Sequence, residues 1–272
     1  MKYNGIKSAA VIIIGLGILT LSCENVIKVD LNNVQPRLVL EGVISSQPGQ
    51  SQFTLSKTGD FYQPSTFPKV SGAEVIVSDN LGNIDTLRES QPGIYIADSL
   101  RGVIGRTYFA NVTVEGATYT ALSRMPAPIL IDSMRTEYQP GGGFGPDADK
   151  GYRLSVYFLD HPGVDDFCRI RIVKNDSLLP DYFLYDDKFS DGNYIEYNDF
   201  GRVFSYGDTI KAEILSMDKP VYDYFKTLMD VVASQDGGEM RLAPANPNSN
   251  WSNNALGYFG AFSISADTIL AR

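Results

Sequence analysis

The chain has 272 residues, with 23 basic against 32 acidic side chains, one histidine, one tryptophan and two cysteines. A formal charge of −9 repels phosphate backbones and argues against a nucleic-acid partner. So few cysteines and histidines leave no disulfide framework and no zinc site that needs two histidines.

In chain order, the first element is a leader. Lys2 and Lys7 precede an apolar run from Ala9 to Leu21, shorter than the ~20 residues a membrane-spanning helix needs and suited to a secretory core. Ser22 stands directly before Cys23, and this junction resembles a bacterial lipobox, with Thr20 in place of the usual Leu. Such a signal implies acylation of Cys23 and removal of residues 1–22. Several acyl chains on one cysteine, at about 0.8 kcal/mol per buried CH2, make a stable anchor. Removing Lys2 and Lys7 and no acid takes the charge from −9 to −11, and Cys168 is then the only unmodified thiol.

Residues 23–36 mix charge, Asn and Pro, and read as a tether. Residues 37–125 carry strand signals throughout. The run Arg37–Ile44 is β-branched; Ala73, Val75 and Val77 alternate with polar residues, and so do Tyr108, Ala110, Val112 and Val114. This period of two, punctuated by Gly, Asn and Pro, predicts a β-sandwich. Met125-Pro-Ala-Pro128 reads as a rigid hinge. Residues 126–272 predict a second β-rich domain, with strands through Tyr152–Phe158, Asp208–Met217 and Tyr258–Ser265. Between the last two, Val221, Tyr224, Phe225, Leu228, Met229 and Val232 recur at helical spacing, which predicts an amphipathic helix near 219–235. The GGGFGP stretch before Tyr152 reads as a flexible loop and lacks the Lys-Ser/Thr of a phosphate-binding loop.

The series Leu38-Val-Leu-Glu-Gly42, Val70–Val75, Gly93-Ile-Tyr95, Gly105–Tyr108 and Met125–Asp132 continues with Phe189–Gly192, Asn246–Asn250 and Ala255–Phe259. It resembles a family of Bacteroidota outer-membrane lipoproteins, domain of unknown function 4249. The first half also resembles immunoglobulin-like sandwiches of the prealbumin type. Members are often encoded beside TonB-dependent transporters, so the resemblance implies a surface-facing partner of such a barrel, with no reaction and no cofactor. Glu24 and Asp30 around Lys28 form a weak version of the acidic signal that sends such lipoproteins to the cell exterior.

Six Asp-Ser/Thr-aliphatic triplets place Thr86, Ser99, Ser133, Ser177, Thr209 and Thr268 after an aspartate, where composition would give about one. They resemble the acceptor of Bacteroidota periplasmic O-glycosylation. Turn chemistry before a strand explains them equally well.

Other candidate chemistry is weaker. Cys168 shares a strand face with Ile170 and Ile172, and His161 lies in the preceding turn. The pair reads as a core thiol beside a turn imidazole rather than a nucleophile and its base. Oxygen ligands leave calcium open at Asp186–Gly192. Registering Gly192 as the sixth position of a loop puts Asp187 first and Asp191 fifth. Phe189 and Asn198 then fall where acids are needed, so no EF-hand and no metal site is read. The adjacent carboxylates Asp165-Asp166 and Asp186-Asp187 point to opposite faces of extended chain and form no dyad. The expectation is a non-enzymatic accessory subunit of a barrel complex. The alternative is a freestanding glycan- or peptide-binding lipoprotein, with aromatics exposed around Phe61-Tyr62 or Asn250-Trp251. A hydrolase with unrecognised carboxylates is third.

Overall fold

The computed structural model describes residues 36–59, 67–141, 150–199, 201–235 and 246–272. The leader, Cys23, the tether up to Gln35, Phe61-Tyr62 and most of the GGGFGP stretch lie outside the described residues. The period-2 segments become strands: β1 (Leu38–Ser45), β2 (Gln52–Lys57), β3 (Glu74–Asp79), β4 (Ile84–Gln91), β5 (Ile94–Ile96), β6 (Thr107–Val114) and β7 (Ala117–Arg124). After the proline-rich stretch come β8 (Ile131–Gln139), β9 (Gly151–Leu159), β10 (Phe167–Lys174), β11 (Ser177–Asp186), β12 (Tyr194–Asn198) and β13 (Thr209–Met217). Helix α1 (Lys219–Gln235) and β14 (Leu256–Leu270) follow. The protein is mainly β, with one α-helix among the described residues, none of which form a helix long and apolar enough to cross a membrane.

Eleven strands form one sheet in the order β11-β10-β13-β14-β1-β2-β5-β4-β3-β6-β7, and β12-β9-β8 form a second. The joint is β14. It pairs antiparallel with β13 and parallel with β1, from Val39 opposite Leu256 to Ser45 opposite Phe262. It is longer than the expected Tyr258–Ser265 because its first half pairs with β1 and its second half with β13. Gly257 sits where it meets β1: its φ is +93°, and a Cβ there would collide with the Leu40 carbonyl.

Alternation then sorts the side chains into cores. Val75, Val77, Tyr108, Ala110 and Val112 join Leu40, Phe53 and Leu55 in a first cluster that also takes in Trp251 and Phe259. Leu154, Val156 and Phe158 of β9 pack on Cys168, Ile170, Ile210 and Ile214 in a second, where the smaller sheet covers one face of the larger. The proline stretch bridges the two clusters and is pinned at both ends. Met125 is fully buried in the first and donates its N–H to Arg106 O at 2.9 Å; Ile129 is fully buried in the second and donates to Ser216 Oγ at 3.0 Å. Because β14 contributes Phe259 and Ala261 to the first cluster and pairs along β13 beside the second, residues 36–272 form one unit.

Helix α1 covers the opposite face of the large sheet. Pro220 enters in the first turn, where its missing N–H costs nothing, and Asp218 Oδ2 fixes the approach by accepting the Arg124 N–H at 2.8 Å. Val221, Tyr222, Tyr224 and Phe225 are buried against Leu215, Met217, Tyr258 and Phe262. The backbones approach closely over Gly260, where an added Cβ would stand 2.6 Å from the Phe262 ring and 3.2 Å from Val221 Cγ1. Met229 and Val232, expected in the apolar stripe, are exposed, because the helix meets the sheet through its first turns only.

Candidate functional site

The helix leaves part of that sheet face open. On β10, Cys168, Ile170 and Ile172 face the second core, so Arg169 and Arg171 must face the helix side. Their neighbours on this side are Glu213 and Leu215 of β13, Tyr258, Phe262 and Ile264 of β14, and Gln52 of β2. All of these except Glu213, together with Val43, Gly49 and Gln50, line an open cavity of about 400 Å³ beside the helix.

The charges in this cavity are unequally matched. Arg171 Nε donates to Glu213 Oε2 at 2.5 Å, and Lys211 Nζ lies 2.6 Å from Glu213 Oε1. Burial pushes the Glu213 carboxyl up, but Lys211 and Arg171 outweigh it and hold the group below the usual carboxylate range. Glu213 is thereby committed. Arg169 makes no ion pair with a carboxylate among the described residues. Its guanidinium carbon lies 4.3 Å from the Phe225 ring centroid and 5.3 Å from that of Tyr182, and its Nε is buried without a hydrogen-bond partner. Burial lowers its pKa, though an arginine stays charged under any ordinary condition. A charged guanidinium with aromatic walls and no counter-ion among the described residues is suited to receiving a carboxylate or another planar anion. What this cavity offers chemically is binding. The alternation that groups Cys168 with Ile170 and Ile172 sends Arg169 and Arg171 to the other face, but the sequence carries no signal for the missing counter-ion, since Glu213 comes from another strand.

A second concavity of about 550 Å³ lies on the outside of β6 and β7, between Phe109, Asn111, Thr120 and Leu122 and the segment Ser249–Ser252. That segment covers the outermost strand of the large sheet. Thr120 N donates to Ser252 Oγ at 2.8 Å, Ser252 N to Thr120 O at 2.8 Å, and Asn253 Nδ2 to Thr118 O at 2.6 Å. An edge covered in this way is closed to pairing with another chain.

The residues singled out from the sequence fall as follows. Trp251, which a sugar-stacking platform would need at the surface, is 6% exposed and belongs to the core. Its Nε1 donates to Leu40 O at 2.9 Å, and its ring meets Phe53 and Phe259 at centroid distances of 6.3 and 5.9 Å. Cys168 is fully buried, which together with the nearby Asp166 and Asp160 pushes its thiol far up; a protonated thiol is a poor nucleophile. His161 is bonded instead to Asp166, Nδ1 to Oδ2 at 2.7 Å. Asp186 accepts the Tyr222 hydroxyl at 2.6 Å, whereas Asp187 accepts the Asp166 N–H at 3.0 Å, so the adjacent acids do diverge. Thr86, Ser99, Ser177, Thr209 and Thr268 are exposed and Ser133 is half-buried. Ser177 and Thr209 open strands and Ser99 lies in a bend, as turn chemistry requires, but Thr86, Ser133 and Thr268 lie inside strands.

The family profile described as Domain of unknown function (DUF4249) matches residues 24–268. The chain belongs to this family. No curated protein matches this DUF4249 chain. Among solved structures, one chain it is similar to is described as "Cytokine receptor complex - Crystal form 1A". The identity is 7% over 86% of this chain and 96% of that one, with a TM-score of 0.25.

Proposed function

We propose that the chain is a lipid-anchored outer-membrane protein of the cell surface, tethered through Cys23, that acts by contact as an accessory subunit of a TonB-dependent transporter or a related barrel. The observation that carries this reading is the junction of a basic start, a short apolar run and Ser22-Cys23. Family membership supports it through the resemblance to Bacteroidota lipoproteins encoded beside such barrels. In this reading residues 37–125 are the immunoglobulin-like module. The exposed members of the Asp-Ser/Thr triplets would carry O-glycans on turns and strand faces that point to solvent. The tether is tested by acyl labelling of the protein and of a Cys23→Ala variant, and the contact by co-purification from outer membranes in mild detergent. Release from membranes without detergent would contradict the anchor.

Arg169 favours a second reading, a freestanding binding lipoprotein. Its ligand would be a glycan or peptide bearing a carboxylate, received by the unmatched guanidinium beside Gln50 and Gln52. Recovery of the protein alone from detergent, together with anion-dependent stabilisation lost in Arg169→Met, would favour this reading over the first.

A further inference from the structure

We propose that Asp160, Asp187 and Asp191 bind a calcium ion. Asp160 follows β9, Asp187 follows β11, and Asp191 lies in the turn after it; one carboxylate oxygen from each comes within 4.8 Å of the others. Each side chain is aimed by one backbone N–H: Gly192 donates to Asp160 Oδ2 at 2.9 Å, Asp166 to Asp187 Oδ2 at 3.0 Å, and Gly163 to Asp191 Oδ1 at 2.7 Å. That leaves one oxygen of each carboxylate for something else.

The buried member shows that something else is required. Asp160 is fully buried, and its Oδ1 has no hydrogen-bond partner. The Tyr185 hydroxyl lies near this carboxylate, but its hydrogen bond is to Ser190 Oγ at 2.8 Å and none is made to Oδ1. Burial pushes the Asp160 carboxyl up; the Gly192 N–H pulls it down, and the charges of Asp166 and Asp187 raise it again. Among the described residues no Lys or Arg forms an ion pair with any of the three, and Lys188 Nζ lies 5.3 Å from the Phe189 ring centroid. A desolvated carboxylate beside two others, with no basic partner, calls for a cation or a proton.

The donor set selects the cation. All three ligands are oxygens, and His161 Nδ1 is turned to Asp166, so the set lacks the nitrogen and sulfur donors characteristic of zinc sites and suits a hard cation. Calcium accepts six to eight oxygens in flexible geometry, which suits carboxylates brought together from separate strand ends, while magnesium demands a near-ideal octahedron and keeps several of its waters. Asp191 is exposed, which leaves that side open for water to fill the shell. The sequence register explains why a loop motif fails. Asp187 and Asp191 occupy first and fifth positions before Gly192, Phe189 at the third is 90% exposed, and Asp160 supplies the further acid from a different strand end. Calcium here would tie the end of β9 to the turn after β11.

The test uses the full-length chain treated with EGTA and exchanged into metal-free buffer, titrated with calcium chloride and, separately, magnesium chloride. Calorimetry should give one calcium per chain, with a rise in Tm that equal magnesium does not reproduce. Asp160→Asn should weaken calcium binding at least tenfold, yet leave the Tm in EGTA equal to or above that of the parent, since it removes repulsion. Asp191→Asn, at an exposed position, should weaken binding as well and decides the matter if the first variant does not fold. No calcium bound at millimolar concentration would overturn the proposal. So would unchanged binding in the variants, which puts the ion elsewhere, or a Tm in EGTA that rises on acidification with no response to calcium, which assigns the site to a shared proton.

Discussion

Replacing Trp251 separates two roles that the sequence left open. As a surface platform for sugar rings, it would be dispensable for folding. As the structure has it, the indole lies in the first core at 6% exposure and links the segment before β14 to β1 through Leu40 O. Truncating a buried aromatic to alanine costs about 3–5 kcal/mol. Trp251→Phe keeps a ring against Phe53 and Phe259 but forfeits the hydrogen bond and leaves a smaller void, for about 1–3 kcal/mol. Urea denaturation followed by far-ultraviolet circular dichroism measures both variants. The parent chain provides its own control, because Trp251 is the only tryptophan and its emission should be blue-shifted and shielded from iodide until the protein unfolds. Loss of less than about 0.5 kcal/mol in Trp251→Ala, the usual range for surface substitutions, would refute the core role.

Three further outcomes are expected. Gly257→Ala should unfold the protein or cost well over ~3 kcal/mol, since it combines a φ of +93° with a collision against backbone rather than a movable side chain; a Tm within a few degrees of the parent would contradict this. Asp79, 5% exposed, accepts from Leu81 N, Asn83 N, Asn83 Nδ2 and Arg106 Nη1 at 2.6–3.0 Å; burial raises its pKa, but these bonds outweigh burial and bring it down to about 2. Its depressed pKa contributes about 1–2 kcal/mol above about pH 4 that is lost as pH falls towards 2, so Asp79→Asn should flatten the acid limb of the stability curve between those values. Arg169→Met should change stability by less than about 1 kcal/mol, because the methionine retains contact with Phe225 and Tyr182, while abolishing any rise in Tm given by citrate at constant ionic strength. An equal citrate response in both proteins would remove Arg169 from the binding site.

Local pattern carried much of the fold. Alternation at Tyr108, Ala110, Val112 and Val114 and at Cys168, Ile170 and Ile172 marked strands with the right face inward, because burial on one side of a pleat leaves a period of two. The helix was legible from the apolar spacing of Val221, Tyr224, Phe225 and Leu228. What local pattern could not carry is long-range pairing. Nothing near Val39 announces Leu256 as its parallel partner, and nothing near Trp251 announces Leu40. The same limit hid both sites. Arg169 matters because Glu213 is already engaged, and Asp160 because two turns bring Asp187 and Asp191 to it; each fact is a contact between distant segments.

The most direct test of the central claim is a quantitative purification of the tagged protein from outer membranes in mild detergent, beside a Cys23→Ala control. One TonB-dependent barrel polypeptide per chain is expected in the eluate, identified by mass spectrometry and absent from the control. A lipoprotein recovered alone from the same membranes, with no barrel at any detergent strength that preserves its fold, would contradict it.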